Sequence, residues 1–324
     1  MATSITVMSW NVQILGETKV KQYLVVELLA RVVALYNPDI VIIQELVYAA
    51  EAEVRAPLVK ALATYTKANW AGTAVQALPG GRDRDGYLFL WRDTVKQQQI
   101  AGTGVQGNFG GDWPSNISAK HGRIPGYCGF TLADGSHPFL VAGYHAPTYA
   151  TASLGSAPAT ALVALKTRAN DLLNYPGTAT AYEARFFCAD FNMPFTADTK
   201  TNFYGPAMTA TSTENAISGA TSAGNTIMVP IDKAPKSDKS TDYYQQNLDN
   251  VLAGPTGRMT GVMVVDTINI VQTDKICAQL AESALFSNES KTSWGKGTTA
   301  AAFVAARTFL SDHLPVLVKF TLVP

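Results

Sequence analysis

Ser311-Asp312-His313-Leu314-Pro315 stands immediately before an apolar run, Val316-Leu317-Val318-Lys319-Phe320. The stretch sets a carboxylate beside an imidazole at the mouth of a strand. A carboxylate can hold a hard metal ion, and an adjacent histidine can move a proton. One such pair decides nothing, but the setting recurs. Asn11 follows the alternating run 5–10, Gln44-Glu45 follows 40–43, and His145 follows 139–144. Asp190 and Asn192 follow 185–189, and Asp249 heads the run 248–252.

Four of these segments close a strand and two open one. Neighbouring antiparallel strands put the end of one beside the start of the next, so all six can share one edge. Between them, residues 19–36 predict an amphipathic helix. Leu24, Leu28, Val32 and Leu35 line one side, Glu27 and Arg31 form an i,i+4 pair, and Asn37-Pro38 ends it. The unbroken apolar run 40–43 predicts a strand covered on both faces. Further helices are expected over 50–65 and 160–173, and further strands over 87–91 and 262–270.

Residues 102–126 read as loop. They begin with Gly102-Thr103-Gly104-Val105-Gln106-Gly107, a literal GxGxxG. No strand-to-helix setting surrounds it, which argues against a dinucleotide site. The Thr-, Ser-, Ala- and Lys-rich stretch 196–246 is too long for an ordinary loop and reads as an irregular excursion. No repeat or linker divides the chain, so 1–324 is read as one domain.

Composition narrows the class without choosing a substrate. Charged residues make up 15% and hydrophobic ones 47%, enough apolar material for a large core and against a disordered chain. Net charge is zero, so a polyanion would have to meet basic residues gathered on one face. Cys128, Cys188 and Cys277 are widely spaced and odd in number, against a disulfide framework or a thiolate metal site. The N-terminus enters a strand pattern with neither a basic region nor a long apolar one, and no stretch reaches the ~20 apolar residues of a membrane span. A soluble protein without membrane association is expected, cytoplasmic or exported without a signal peptide. Asn116-Ile117-Ser118 and Asn288-Glu289-Ser290 match the glycosylation pattern, which carries no weight without a secretory signal.

Trp10-Asn11, Gln44-Glu45, Tyr144-His145-Ala146-Pro147, Ala189-Asp190-Phe191-Asn192, Leu248-Asp249-Asn250-Val251 and Ser311-Asp312-His313-Leu314-Pro315 resemble, in order, the motifs of the endonuclease/exonuclease/phosphatase superfamily, in its deoxyribonuclease-I-like branch. The resemblance implies an α/β fold: a four-layer α/β/β/α sandwich of two mostly antiparallel sheets flanked by helices. It also implies a metal-assisted hydrolase. Phosphodiester cleavage needs charge neutralisation at the phosphate, an activated water and a protonated leaving group.

On that resemblance Glu45 is the principal ligand of Mg²⁺ or Mn²⁺, with Asn11, Asp190 and Asp312 completing its surroundings. His313, paired with Asp249, is the general base. His145 contacts the phosphate or protonates the leaving oxygen, and Asn192 orients the phosphate or the nucleophile. Asp85 falls where the branch places an acidic partner for the first histidine, and Arg123-Ile124-Pro125 resembles an element whose arginine reaches a substrate phosphate. His121 and His137 match no motif and read as ordinary surface residues. Leu46-Val47 departs from the pattern, since many nuclease relatives carry a basic residue after the glutamate.

The expected activity is a divalent-metal-dependent endonuclease acting on nucleic acid, DNA favoured, and the loops carry no readable code that separates DNA from RNA. Arg82, Arg84, Arg92, Lys120 and Arg123 are candidates for a basic rim, with Trp113, Tyr149 or Trp294 as stacking surfaces. The alternative is a phosphatase or phosphodiesterase of phosphoinositides or sphingomyelin, which uses the same metal-and-histidine set. Against it, the Asp249 segment lacks a Trp-Cys-Asp-Arg element, and no apolar insertion loop suits a membrane surface. A binding module with a dead site is disfavoured because no expected catalytic position is substituted.

Overall fold

Two six-stranded sheets lie face to face. The computed structural model describes residues 3–77, 85–98, 106–108, 123–146, 182–190, 192, 225–246, 248–254, 258–287 and 298–322. The expected helix over 160–173, most of the GxGxxG stretch, both sequons, His121, Arg82, Arg84, Lys120, Trp113, Tyr149 and Trp294 lie outside them.

In the first sheet, β1 (Ser4–Leu15) runs parallel to β2 (Ile40–Leu46) and antiparallel to β14 (Val316–Thr321). The strands β4 (Gly86–Arg92), β3 (Trp70–Gln76) and β13 (Met259–Val264) extend it antiparallel on either side. In the second, β8 (Phe139–His145) and β9 (Ala184–Asp190) are parallel. Its antiparallel members are β12 (Asp249–Gly254), β7 (Gly126–Leu132), β6 (Gln106–Asn108) and β5 (Val95–Gln97). A two-stranded ribbon, β10 (Ile227–Met228) with β11 (Tyr244–Gln246), forms a separate small sheet joined to the approach to β14 by an Ile227–His313 bridge.

Alternation explains the sandwich. Ile5, Val7, Ile40, Ile42, Phe89, Val316 and Val318 of the first sheet meet Phe130, Phe139, Val141 and Phe186 of the second, all buried. Each such side chain contributes about 1.5–3 kcal/mol through the apolar area it removes from water. The opposite faces of β1 and β2 carry Met8, Trp10, Val41 and Ile43 against α2 (Tyr23–Tyr36), α3 (Glu51–Thr66), α4 (Thr267–Thr273), α5 (Lys275–Ser287) and α6 (Thr299–Ala305). No helix among the described residues is long and apolar enough to cross a membrane.

Several elements differ from their expectation. The helix expected over 19–36 is two helices, α1 (Glu17–Val20) and α2, because the chain leaves the helical region at Gln22. Arg31 turns from Glu27 to Asp274 of the α4–α5 junction, at 2.8 Å, and Leu35 is exposed rather than buried. The strand expected over 262–270 ends at Val264, where the Asp266 side chain caps α4 by accepting from Asn269 N–H. The last part of the excursion 196–246 is not irregular. It forms the β10–β11 ribbon and buries Thr226, Met228 and Tyr243. All three cysteines are free and buried.

Candidate active site

Asn11 pairs with Gln44 across β1 and β2, but the next paired residues are Leu15 and Leu46, so β1 carries three residues where β2 carries one. That mismatch forces Gln13 (φ 34°), Ile14 (φ 52°) and Glu45 (φ 61°) into the left-handed region. A β-branched residue there is a strained rarity. The result is that Ile14 N–H points at Glu45 Oε2 (3.0 Å), while Asn11 Nδ2 donates to Glu45 Oε1 (2.9 Å). Glu45 therefore has both oxygens fixed at a bulge where two strands part. The sequence places Asn11 and Glu45 at strand ends; the strands continue to Leu15 and Leu46, and the bulge supplies the exposed edge.

Asn11 Nδ2 also donates to Asp190 Oδ2 (2.9 Å), and Asn11 Oδ1 accepts from Gln13 N–H (3.0 Å). Its amide thus orients Glu45 and Asp190 through the nitrogen, with its oxygen engaged by backbone. Asp190 ends β9, opposite Asp249 of β12 and beside His145 of β8. Its carboxyl is buried, and desolvation, reinforced by Asp249, raises its pKa although His313 and His145 oppose the rise.

Around Asp190 sit two histidines in opposite states. His313 Nδ1 is 2.8 Å from Asp249 Oδ2 and 3.8 Å from Asp190 Oδ2. Burial pulls the His313 imidazole down, but Asp249, Asp190 and Asp312 together outweigh it and hold its pKa at about 10. His145 Nε2 lies 3.6 Å from both Glu45 Oε1 and Asp190 Oδ2, and its buried Nδ1 has no hydrogen-bond partner. Burial, helped by Arg123 and His313, pushes its pKa down to about 4 despite Asp190. The surroundings thus shift the two rings in opposite directions.

Asp85 does not bind His145, the partner expected for it. Its Oδ2 accepts from Arg123 Nε at 3.1 Å, and it is Arg123 Nη1 that faces His145 Nε2 at 3.4 Å. The arginine reaches further and carries five donors in a fork, so it takes the space between acid and imidazole. Asn192 (φ 49°) caps the end of β9: its N–H donates to Asp190 Oδ1 (2.8 Å) and its Nδ2 to Ala146 O (2.7 Å). His137, read as a surface residue, pairs with Glu183 at 2.6 Å, away from this cluster. Arg92 of the expected rim is bound to Asp39 at 2.7 Å.

Asp312 follows a wide π-helical turn, Ala306–Leu310. Its Oδ2 takes Arg307 Nη2 (3.3 Å) and Gln13 Nε2 (3.4 Å), while the buried Oδ1, 3.9 Å from His313 Nε2, has no hydrogen-bond partner among the described residues. A buried carboxylate oxygen left without a donor is costly. An oxygen-seeking cation would satisfy it, so the donor set of Glu45 and Asp312 fits a divalent metal. Ligand-type atoms of Asp190, Asp249 and His313 also lie within 4.8 Å of one another.

Four further side chains hold the site together, and two of them, Thr226 and Lys19, belong to none of the motifs. Thr226 Oγ1 accepts from the backbone N–H of Leu248 and Asp249 (2.9 and 3.0 Å), and Thr226 O accepts from Leu314 N–H at 2.7 Å. It bolts the start of β12 to the start of β14. Ser311 Oγ donates to Asn11 O (2.7 Å), and Trp10 Nε1 to His313 O (3.0 Å). Lys19 Nζ lies close enough to Asp312 and Glu45 to feel both charges, yet burial still lowers its pKa to about 8. A threonine within a low-periodicity stretch and a lysine at the start of an expected helix give no sequence signal of such contacts.

The endonuclease/exonuclease/phosphatase family model matches residues 8–209, well over half of the chain. Similar solved structures include an endonuclease/exonuclease/phosphatase family protein of Bacteroides thetaiotaomicron, at TM-score 0.60 and 14% identity, covering 100% of this chain and 99% of that one. A mannosyl-6-phosphatase of the same species gives TM-score 0.55 at 13% identity, covering 97% and 98%. D. rerio TDP2 complexed with a single-strand DNA product gives 0.55 at 14%, covering 98% and 99%. No curated protein matches by sequence. The likenesses carry the two-sheet fold, the family match spans the motifs from Trp10-Asn11 to Asp190-Phe191-Asn192, and the chain belongs to the endonuclease/exonuclease/phosphatase family.

Proposed function

We propose that this family hydrolase is a divalent-cation-dependent nuclease that cleaves phosphodiester bonds, in DNA by preference. The observation that carries the reading is the pair of buried histidines on either side of Asp190, one held by Asp249 and the other beside Arg123. Such a pair can serve the two proton-handling positions of an in-line displacement.

Glu45 and the unpartnered Asp312 oxygen would hold Mg²⁺ or Mn²⁺, which when bound neutralises phosphate charge and acidifies water. His313 takes the proton of the attacking water, and Asp249 fixes its tautomer. To act as base it must be neutral, and a cation held at Asp312 would lower the carboxylate field that raises its pKa. Arg123, with its Nε engaged by Asp85, presents its outer nitrogens to a phosphate oxygen. His145, neutral, hydrogen-bonds the phosphate or leaving oxygen, and Asn192 and Asn11 keep Asp190 aligned.

A second reading, hydrolysis of phosphorylated sugars or lipid headgroups, is favoured by Leu46 and Val47, which bring no positive charge beside Glu45 for a polyanion. A panel of plasmid, single-stranded DNA, RNA, a sugar phosphate and an inositol phosphate, with Mg²⁺ and with chelator, separates the two. Nicked plasmid that appears only with the cation is the expected result. Intact plasmid together with released inorganic phosphate would replace the nuclease reading by the second.

A further inference from the structure

Lys19 belongs to none of the motifs, yet its three ammonium donors are all committed. They reach Val12 O (2.9 Å), Gln13 O (3.3 Å) and Leu310 O (2.5 Å). These carbonyls come from two different segments. Val12 and Gln13 enter the left-handed turn whose next residue, Ile14, gives its N–H to Glu45 Oε2. Leu310 closes the π-helical turn, after which Ser311 and Asp312 follow at once. Three donors on three acceptors is the full capacity of a lysine, and no other cation is hydrogen-bonded to both segments among the described residues.

We propose that Lys19 is a positioning residue: it clamps the Gln13–Ile14 turn to the end of the Ala306–Leu310 turn and thereby holds Glu45 and Asp312 at the separation a divalent cation requires. The inference rests on the metal-dependent reading above and names the part of the chain that builds the metal seat. Three carbonyl oxygens crowded together repel one another unless a cation sits among them. Two left-handed non-glycine residues persist only where surrounding contacts hold them. Lys19 supplies both conditions at once, and its neighbour Ser311, donating to Asn11 O, closes the same joint from the other side.

Charge alone predicts the opposite of positioning, which makes the inference testable by sign. An ammonium beside a cation site repels the incoming ion, so removing it would tighten binding if Coulomb repulsion dominated. If the clamp dominates, removal loosens binding. The experiment is calorimetric titration of Mn²⁺ into the full chain without nucleic acid, for wild type, Lys19→Met and Ile14→Gly/Lys19→Met, with circular dichroism recording the fold.

The expected result is at least about tenfold weaker Mn²⁺ binding in Lys19→Met. Most of the loss should be recovered in the double variant, because glycine takes the left-handed turn without a clamp. Unchanged or tighter binding in Lys19→Met overturns the inference while leaving the hydrolase reading intact. So does a double variant as weak as the single one. Should Lys19→Met not fold, the same comparison is made with Lys19→Gln, which keeps part of the hydrogen bonding. A wild-type protein that binds no Mn²⁺ would sink the metal reading itself, and the inference with it.

Discussion

Asp249 Oδ2 lies 2.8 Å from His313 Nδ1, and the two come from different sheets, β12 of one and the threshold of β14 of the other. The contact joins the two sheets of the sandwich at the candidate site. Asp249, with Asp190 and Asp312, raises the imidazole pKa to about 10 against the pull of burial. Replacing Asp249 with Asn should therefore lower the His313 pKa, seen by NMR titration in chelator, and reduce turnover by about 100-fold or more. The stability effect has a defined window. The folded value lies above the unfolded value of about 6.5, so the contribution is complete below that pH and fades as pH rises toward 10. Urea unfolding should show wild type and Asp249→Asn furthest apart near pH 6 and converging above pH 10. A gap that stays constant across that range would show that the pair does not titrate this way.

His145 gives the reverse dependence. Its folded pKa of about 4 lies below the unfolded value, so the unfolded chain takes up a proton first as pH falls. Stability should drop between pH 6.5 and 4 by about 3 kcal/mol from this group alone. His145→Gln should flatten that limb in chelator-treated protein, while cutting turnover at pH 7 by about 100-fold. An unchanged acid limb would mean that another group carries it.

Arg123 and Asp85 should behave as one unit. Arg123→Ala and Asp85→Asn are each expected to raise KM for a nucleic-acid substrate, the arginine change by about tenfold, the worth of one charged hydrogen bond. The double variant should resemble the arginine change alone, since Asp85 acts on substrate through the guanidinium. Additive effects in that cycle would restore Asp85 to direct action on His145.

Glu45→Gln should move the Mg²⁺ concentration for half-maximal activity upward by about tenfold or more. Because the amide keeps acceptors for Asn11 Nδ2 and Ile14 N–H only through its single carbonyl oxygen, one of the two holds on the side chain is lost as well. Activity at saturating Mn²⁺ with an unchanged titration midpoint would remove Glu45 from the seat.

Much of this site is legible in the chain because its chemistry sits beside strong periodic signals. Trp10-Asn11, Gln44-Glu45, His145, Asp190, Asp249 and Asp312-His313 each abut an apolar run, and strand pairing then carries them to one edge. What stayed hidden depends on geometry with no sequence period. The two-residue slip between β1 and β2, which aims Ile14 N–H at Glu45, is a property of pairing register. Arg123, rather than His145, meets Asp85, a contact in space between residues 38 positions apart. Thr226 joins β12 to β14 from a stretch whose composition suggests no structure.

The ring on His313 and the carboxylate on Asp249 ride on opposite halves of the sandwich, as do Asn11 and Asp190. Sliding one half over the other by a single residue, about 3.3 Å, would break both bonds while leaving every ladder intact. Mild heating or denaturant should accordingly silence the protein before circular dichroism registers any loss of strand, because the chemistry reads alignment between layers and the spectrum does not.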